Sequence, residues 1–466
     1  MRTIYDRLRE YGGSDYYGFH MPGHKRNLNM PGGKLPYEID ITEIDGFDDL
    51  HHADGILKEA QERAARVYHA EETHFLINGS SVGILSAIAG VTRRGDTVLA
   101  ARNCHKSVYH AIEMFGLNPV YLMPGFDLSV HLNMEVSAQD VRAALKKEPG
   151  IRAVVIVSPT YDGVVSDVEA IAEAVHEAGI PLIVDGAHGA HFGFHAYFPE
   201  HSNVQGADLV VNSLHKTLPS LTQTALLHMN GSLVCRERVR RYLHMLQSSS
   251  PSYVLMASID SCIDLLENHR KELFDPYAKR LKHLRKELSG LKKLQLIETK
   301  SYDRSKVMIS VRNTDISSRQ LYSKLLEDYH LQMEMAAGTY ILAMTSVGDT
   351  QEGMDRLIAA LKEIDAGCRF PKERETDRKL PCLSLPDVVY NSSDIENLMK
   401  RTVLFRDSVG QIAAEYVYLY PPGIPLVIPG EKVTKEAADM LQWYYGMGFP
   451  IEGLKDGQYI EVLAHG

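Results

Sequence analysis

Short apolar runs recur along the first half of the chain and predict buried strands. These runs span residues 72–77, 97–102, 151–157, 181–184 and 208–211. Apolar residues at helical spacing occupy the intervals between the runs, as in residues 168–178. Strands that alternate with helices in this way form a parallel sheet with helices on both faces. The pattern therefore predicts a doubly wound α/β domain.

A lysine follows the run at residues 207–212. Lys216 would lie beyond the carboxyl end of that strand, which is where open α/β sheets bind their ligands. Partial desolvation disfavours the charged form of an amine, so such a lysine can attack an aldehyde and form a Schiff base. The alternative is a solvated surface lysine, which is the commoner environment for this residue type.

The groups near Lys216 are suited to an aldehyde that carries a phosphate and a basic ring. Ser213, His215 and Thr217 are hydrogen-bond donors beside it. Asp185 ends the preceding apolar run, and a carboxylate there can keep a pyridine nitrogen protonated, which makes the ring withdraw electrons. We therefore hypothesise that the chain binds pyridoxal 5'-phosphate (PLP).

Two other strand ends carry candidate ligand-binding groups. Gly79, Ser80 and Ser81 open a helix whose first amides and dipole favour an anion, although an ordinary N-cap has the same sequence. The segment matches neither a P-loop nor a dinucleotide-binding fingerprint. His105 follows the strand at 97–102, where it can stack on a planar cofactor or transfer a proton; the alternative is a capping or core histidine.

Composition narrows the class of protein. A chain of 466 residues is too long for one ordinary core, so we expect two or three domains. A net charge of -10 argues against nucleic acid as the main partner and is compatible with a cationic substrate. The five cysteines lack metal-ligand spacing, and no run of about 18 apolar residues occurs. These features favour a cytoplasmic protein without a metal site, a signal peptide or a membrane span.

The pattern divides the chain into five parts: an N-terminal arm and helix (1–70), a large cofactor-binding domain (71–290), a small α/β domain (291–366), a linker (367–385) and a C-terminal domain (386–466). The arm is rich in histidine and carboxylates without recognisable metal-ligand spacing, so we expect it to contribute to a site or a subunit contact. In the last part we predict a helix over 393–402 and a strand through Tyr416, Tyr418 and Tyr420.

Four motifs, in their order along the chain, resemble the prokaryotic ornithine/lysine/arginine decarboxylases. They are His20-Met21-Pro22-Gly23-His24-Lys25, Asp185-Gly186-Ala187-His188-Gly189-Ala190-His191, Ser213-Leu214-His215-Lys216 and Tyr420-Pro421-Pro422-Gly423-Ile424-Pro425. The resemblance covers nearly the whole chain. It implies a PLP enzyme of fold type I, the aspartate-aminotransferase-like fold, with a mostly parallel central sheet and smaller C-terminal α/β domains. By this resemblance we expect a short-form member similar to the biosynthetic arginine decarboxylases, because nothing here corresponds to the N-terminal wing domain of the long members.

The resemblance implies roles for individual residues. Lys216 would bind the cofactor aldehyde, Asp185 would pair with the pyridine nitrogen, and His105 would stack on the ring; these are the implied catalytic residues. The other implied cofactor-binding residues are Gly79, Ser80, Ser81, Ala187, His188, Ser213, His215 and Ser249. Among them, Ala187 would pack under the ring and His188 would lie near its phenolic oxygen. Ser249 would reach the phosphate of the neighbouring subunit.

The resemblance also implies a substrate and an assembly. Glu415 and His24 would bind the substrate, with Glu415 near its distal cation. The implied reaction is decarboxylation of a basic amino acid in polyamine biosynthesis, with arginine ahead of lysine and ornithine. It would take place in a homodimer or tetramer with sites at the dimer interface. Two rival functions are another fold type I enzyme, such as an aminotransferase or a carbon–sulfur lyase, and a non-catalytic regulatory relative.

Overall fold

A computed structural model describes residues 14–19, 43, 47–371, 383–419 and 423–464. The predictions on His24, Tyr420 and the residues 372–382 of the linker lie outside these ranges. The described α-helices are α1 (Ile56–Val67), α2 (Gly79–Val91), α3 (Lys106–Phe115), α4 (Ala138–Lys147), α5 (Val168–His176), α6 (Leu214–Thr217), α7 (Arg236–Leu246), α8 (Tyr253–Asn268), α9 (Arg270–Leu288), α10 (Ser318–Tyr329), α11 (Gln351–Gly367) and α12 (Lys435–Gly446).

The described strands form six separate sheets. Their bounds are β1 (Tyr17–Phe19), β2 (Glu72–Leu76), β3 (Thr97–Ala101), β4 (Asn118–Leu122), β5 (Phe126–Asp127), β6 (Leu132–Asn133), β7 (Ile151–Val157), β8 (Leu182–Asp185), β9 (Leu209–Ser213) and β10 (Ala225–Met229). The second half of the chain adds β11 (Gln295–Ile297), β12 (Lys306–Ser310), β13 (Leu331–Met333), β14 (Met335–Ala336), β15 (Tyr340–Met344), β16 (Lys400–Leu404), β17 (Val417–Leu419), β18 (Ile424–Val427), β19 (Ile451–Glu452) and β20 (Tyr459–Leu463).

The central sheet has seven strands in the order β2-β10-β9-β8-β7-β3-β4. Six of them run in one direction, and only β10 is antiparallel to its neighbours, which confirms the predicted mostly parallel sheet. β10 and β4 were not predicted. Every residue of β7 except Arg152 is buried, as expected for a parallel strand with both faces covered. Gly83 lets α2 approach this sheet closely, since an added Cβ would lie 2.6 Å from a Leu76 methyl carbon.

The register of the sheet brings the predicted reactive residues to one edge. Asp185 pairs with Val157 on one side and with Val211 on the other, so β8 and β9 end almost level. Lys216 follows β9 by three residues. The carboxyl ends of β2 and β3, which precede Gly79 and His105, point to the same edge because these strands run parallel to β9.

A second, four-stranded sheet forms the small domain, in the order β11-β12-β15-β14. Its apolar core is continuous with one face of the central sheet, because Phe75 and Leu226 belong to the same buried cluster as Ile309 and Leu361. Residues 17–19 of the N-terminal arm join this domain, where β1 pairs with β13 in parallel. The other described strands fall within 71–290, 291–366 and 386–466, so we propose domain boundaries at those positions.

The C-terminal part differs from its prediction in one element. The predicted helix over 393–402 is wrong: Ser392–Asn397 is a 3₁₀ helix, and the chain then extends into β16. β16 pairs with β20 along five residue pairs, including Val403 with Ile460, so tertiary pairing outweighs the local helical pattern. The predicted tyrosine strand corresponds to the shorter β17. No described helix has the length and hydropathy of a membrane span.

A buried ion pair fastens the C-terminal domain to the central sheet. Arg102, just beyond β3, donates to Glu431 over 3.1 Å, and both side chains are almost completely buried. The guanidinium also donates to the carbonyl oxygens of Pro425 and Leu426. Burial raises the pKa of Glu431, while the charge of Arg102 opposes that rise.

Substitution of Glu431 by glutamine is therefore expected to destabilise the protein strongly. A buried guanidinium left without its carboxylate costs about 3–5 kcal/mol of unfolding free energy. Urea unfolding, followed by tryptophan fluorescence and by circular dichroism, measures the change. The matched control is Glu177→Gln, which breaks the solvent-exposed pair with Arg142 and should change stability little. Equal effects of the two substitutions would contradict this assignment.

Candidate active site

Lys216 lies in α6, the single helical turn that follows β9. Its Nζ is 3.0 Å from Nε2 of His188. Burial lowers the pKa of Lys216, and the negative charges of Asp185 and Glu334 oppose that shift. A lysine whose neutral form is favoured by desolvation has the property that Schiff-base formation requires.

Asp185 is the last residue of β8 and is buried. One of its carboxylate oxygens accepts the backbone N–H of Ala187 at 3.1 Å. Burial raises the pKa of Asp185, and the nearby charge of Lys216 opposes the rise. The structure therefore brings together the lysine and the carboxylate that the sequence predicts as partners, and a protonated ring nitrogen would be a further cation for this carboxylate.

His105 has the capping role that was one of the alternatives left open by the sequence. It is the N-cap of α3, where Nδ1 accepts the backbone N–H of Ser107 at 3.2 Å, so the proton of the neutral ring is on Nε2. Burial, then the charges of Lys216 and Lys106, lower the pKa of His105 to about 3. His105 thus caps a helix and also lies within electrostatic reach of Lys216 as a neutral imidazole.

Two hydroxyl groups beside Lys216 can donate hydrogen bonds to a bound ligand. Ser213 Oγ and Thr217 Oγ1 are buried and have no hydrogen-bond partner among the described residues. His215 contacts the carbonyl oxygen of Thr224 at 2.9 Å through Nδ1, so that nitrogen is the donor. Burial lowers the pKa of His215 to about 4.

The start of α2 provides the second half of the predicted phosphate cradle. Gly79 has φ +78°, a left-handed conformation that glycine tolerates. A Cβ added there would lie 4.0 Å from the carbonyl oxygen of Gln223, the residue before Thr224, which contacts His215. The N-cap Asn78 makes no side-chain hydrogen bond to the helix. Ser80 is half-buried and Ser81 is exposed. Together with the two unpaired hydroxyls, these donors fit a phosphate next to an aldehyde-binding lysine.

The remaining predicted residues that the structure describes form no hydrogen bond with Lys216. Ala187 is buried beside Asp185. Ser249 is exposed, and the N–H of the preceding Ser248 donates to Asn78 of the same chain at 3.1 Å. Glu415 accepts the backbone N–H of Glu461 at 2.6 Å, and burial raises its pKa. The roles of Ser249, Glu415 and His24 remain predictions.

Several residues of the site were missed by sequence reasoning. Lys306, the first residue of β12, places its Nζ 3.0 Å from Nδ1 of His188. The ring of Tyr161 contacts that of His188 at a tilt of 59°, with centroids 4.8 Å apart, and the Tyr161 hydroxyl donates to Glu334. The loop with Tyr161 follows the predicted strand at 151–157 and was expected at this sheet edge, but no role was assigned to Tyr161 itself. Lys306 and Glu334 carry no motif and come from the small domain.

A cavity of about 630 Å³ opens beside this cluster, between the central sheet, the small domain and the C-terminal domain. Asp162 and Glu334 supply carboxylates to its wall, and Tyr340 and Trp443 supply aromatic rings. Asp162 is buried and accepts the Tyr340 hydroxyl at 2.6 Å. Carboxylates and aromatic faces are the groups that proteins use to bind organic cations.

Comparison with known proteins identifies the class. The model of the Orn/Lys/Arg decarboxylase major domain matches residues 3–325, and that of the family's C-terminal domain matches residues 385–447. The chain therefore belongs to the Orn/Lys/Arg decarboxylase family and is a PLP-dependent amino acid decarboxylase, as the sequence motifs predicted. Its fold is the fold type I architecture of PLP enzymes.

Individual relatives place the chain within the family. It is 31% identical over 469 residues to an arginine decarboxylase of Bacillus subtilis, covering 97% of this chain and 95% of that protein. It is 33% identical over 460 residues to the uncharacterized protein YaaO of the same organism, with the same coverage. The solved structure of lysine decarboxylase A from Pseudomonas aeruginosa superposes with a TM-score of 0.78 at 22% identity, covering 98% of this chain and 80% of that one.

Proposed function

We propose that this enzyme converts arginine to agmatine and CO2, with lysine and then ornithine as poorer substrates, in polyamine biosynthesis. The observation that carries the proposal is the cluster at one sheet edge, in which Lys216 lies 3.0 Å from His188 and within electrostatic reach of the buried Asp185. Relatives named arginine decarboxylase, at 31–32% identity over most of the chain, support arginine as the first choice.

PLP, when bound, supplies a ring that accepts the electron pair left behind when CO2 departs. The residues proposed to hold PLP have different roles. The Lys216 amine would bind the aldehyde, Asp185 would keep the proton on the ring nitrogen, and His105 would pack on the ring. Ser213, with the start of α2, would bind the phosphate. We propose Lys216, His105 or a group of a substrate-binding loop as the donor that returns a proton to the α-carbon, the step that separates decarboxylation from transamination.

The cavity supports a cationic side chain on the substrate. An amino acid with its α-nitrogen at Lys216 can extend its distal group towards Glu334, whose charge already reaches that lysine. Asp162 adds a second carboxylate to the wall. A guanidinium presents more donors than an ammonium does, so two separated carboxylates suit arginine better than lysine. We propose Glu334 as a distal-group ligand alongside the predicted Glu415 and His24.

Competition among the three substrates tests the proposal. The purified enzyme, saturated with PLP, is incubated with equimolar arginine, lysine and ornithine, and the amines are separated and quantified. Agmatine is expected to dominate. A dominant cadaverine or putrescine peak would overturn the choice of arginine. Keto-acid formation without CO2 release would instead indicate the rival aminotransferase activity.

The Glu334→Gln variant is expected to bind arginine more weakly. Loss of one charge-assisted hydrogen bond to the distal cation should raise KM roughly 10- to 100-fold with a smaller change in kcat. Steady-state CO2 release measures both constants. Glu327→Gln removes an exposed carboxylate from α10 and serves as the control. An unchanged KM in Glu334→Gln would remove this residue from the substrate site.

The assembly and location are also proposals. We propose a cytoplasmic homodimer or tetramer whose sites lie at the dimer interface, with Ser249 reaching the partner's phosphate. The exposure of Ser249, close to the start of α2, is compatible with that contact. Light scattering at increasing protein dilution, read together with activity, tests whether the dissociated monomer is inactive.

A further inference from the structure

His188 bridges two lysines, and this arrangement restricts its hydrogen bonding. Lys216 Nζ lies 3.0 Å from one ring nitrogen, and Lys306 Nζ lies 3.0 Å from the other. His188 is buried, and burial followed by the charges of both lysines holds its pKa well below the usual value. The ring is therefore neutral, with one N–H donor and one acceptor nitrogen.

A neutral imidazole cannot accept hydrogen bonds from two ammonium groups. An ammonium group only donates, so one of the two lysines that contact His188 must present a neutral nitrogen. Lys216 is the lysine proposed to bind the cofactor aldehyde, and that bond consumes its amine. Lys306 is the lysine left to carry the charge.

The surroundings of Lys306 suit a permanent ammonium. Its side chain is completely buried. Burial raises the pKa of Asp162, and the charge of Lys306 opposes that rise. Despite burial, His191 and then Lys306 hold the pKa of Asp303 below its usual value. The two carboxylates come from the loop after β7 and from the loop before β12, so they approach the ammonium from different elements. The carboxylate of Asp303, together with Asp162 when it is ionised, offsets the cost of burying one cation.

The backbone makes room for the Lys306 side chain at one glycine. A Cβ added to Gly163 would lie 2.7 Å from Cγ of Lys306, and Gly163 has φ +105°. The N–H of Asp303 donates to the carbonyl of Gly163 at 2.8 Å, which fixes the two loops against each other. The course of the lysine stem towards His188 is therefore determined by packing along its length.

We propose that Lys306 is a positioning residue: it donates to Nδ1 of His188 and so keeps the imidazole proton on Nε2, facing Lys216. This inference rests on the proposed role of Lys216 in binding PLP. In this arrangement His188 always donates to the Lys216 nitrogen. Lys306, a residue of the small domain, keeps His188 in that state.

The test compares Lys306→Met, His188→Gln and the double variant with the wild-type holoenzyme. The absorbance of the lysine-bound cofactor is followed from pH 5 to 10, and kcat and KM are measured for arginine. A hydrogen bond from Nε2 of His188 to the Lys216 nitrogen favours the unprotonated form of that nitrogen. Loss of this hydrogen bond in either single variant should raise the pH at the midpoint of the absorbance change and lower kcat about 10- to 100-fold. KM should change much less. Asp185, Glu334, His105 and His215, which also face Lys216, stay unchanged throughout.

The double variant decides between a role through His188 and an independent one. If Lys306 acts through His188, Lys306→Met should produce no further shift in the His188→Gln background. Full additivity of the two shifts would overturn the proposal, as would a wild-type midpoint in His188→Gln. If Lys306→Met does not fold, Gly163→Ala, which presses on the lysine stem, replaces it in the same cycle. Lys300→Met, at an exposed lysine, is the control. Absence of lysine-bound cofactor in the wild type would instead refute the proposed function.

Discussion

Replacement of Lys216 by alanine is expected to abolish the visible absorbance of lysine-bound PLP and to lower kcat/KM for arginine by at least about 10³-fold. The variant loses the nitrogen that binds the aldehyde and one candidate proton donor to the α-carbon, and a single positioned acid–base group alone contributes about 10²–10⁴-fold. Absorbance spectra of the dialysed protein and assays of CO2 release measure the two effects.

The fold of the variant should remain intact, because Lys216 makes its described hydrogen bond to a side chain in the site rather than to the sheet. A melting temperature close to that of the wild-type apoprotein is the required control. Retention of the absorbance band in Lys216→Ala would show that another lysine binds the cofactor. Lys306, on the other side of His188, is then the first alternative.

Asp185→Asn is expected to have the second largest effect, with a different signature. The substitution preserves the shape of the side chain and removes the buried negative charge that favours a protonated ring nitrogen. Loss of one electrostatic partner of a developing charge typically lowers kcat about 10²–10³-fold. Cofactor should still attach to Lys216, so the absorbance band remains while turnover falls.

Titration of apoprotein with PLP and measurement of kcat separate attachment from turnover in Asp185→Asn. Asp275→Asn, at an exposed position on α9, is the matched control and should behave as the wild type. A wild-type kcat in Asp185→Asn would show that catalysis does not require a carboxylate at the ring nitrogen. The assignment of the site at the edge of β8 would then be wrong.

The central sheet and the main reactive residues could be predicted because both depend on local sequence. Apolar runs mark buried parallel strands, and polar residues directly after such runs must lie at the carboxyl edge. Asp185 ends one run and Lys216 follows the next, and the register of β8 with β9 brings the ends of these strands to the same edge. His105 was predicted at the same edge for the same reason.

Residues that reach the site, or adopt their conformation, through contacts with distant parts of the chain carried no local sequence signal. Lys306 begins an apolar run and has the pattern of a solvent-facing strand end, yet it is completely buried because the small domain packs on the large one. Glu334 lies between β13 and β14 and reaches the site only through that packing. Residues 400–402 were predicted as the end of a helix but belong to β16, because pairing with the distant strand β20 decided their conformation.

Reduction of the holoenzyme with borohydride, followed by peptide mapping, tests the central claim most directly. Reduction fixes the cofactor covalently to the lysine that carries it, and mass spectrometry of the digest identifies that residue. We predict that the pyridoxyl group is found on Lys216 and on no other lysine. Its presence on Lys306 or Lys106, or its absence from every lysine of a protein saturated with PLP, would contradict the account.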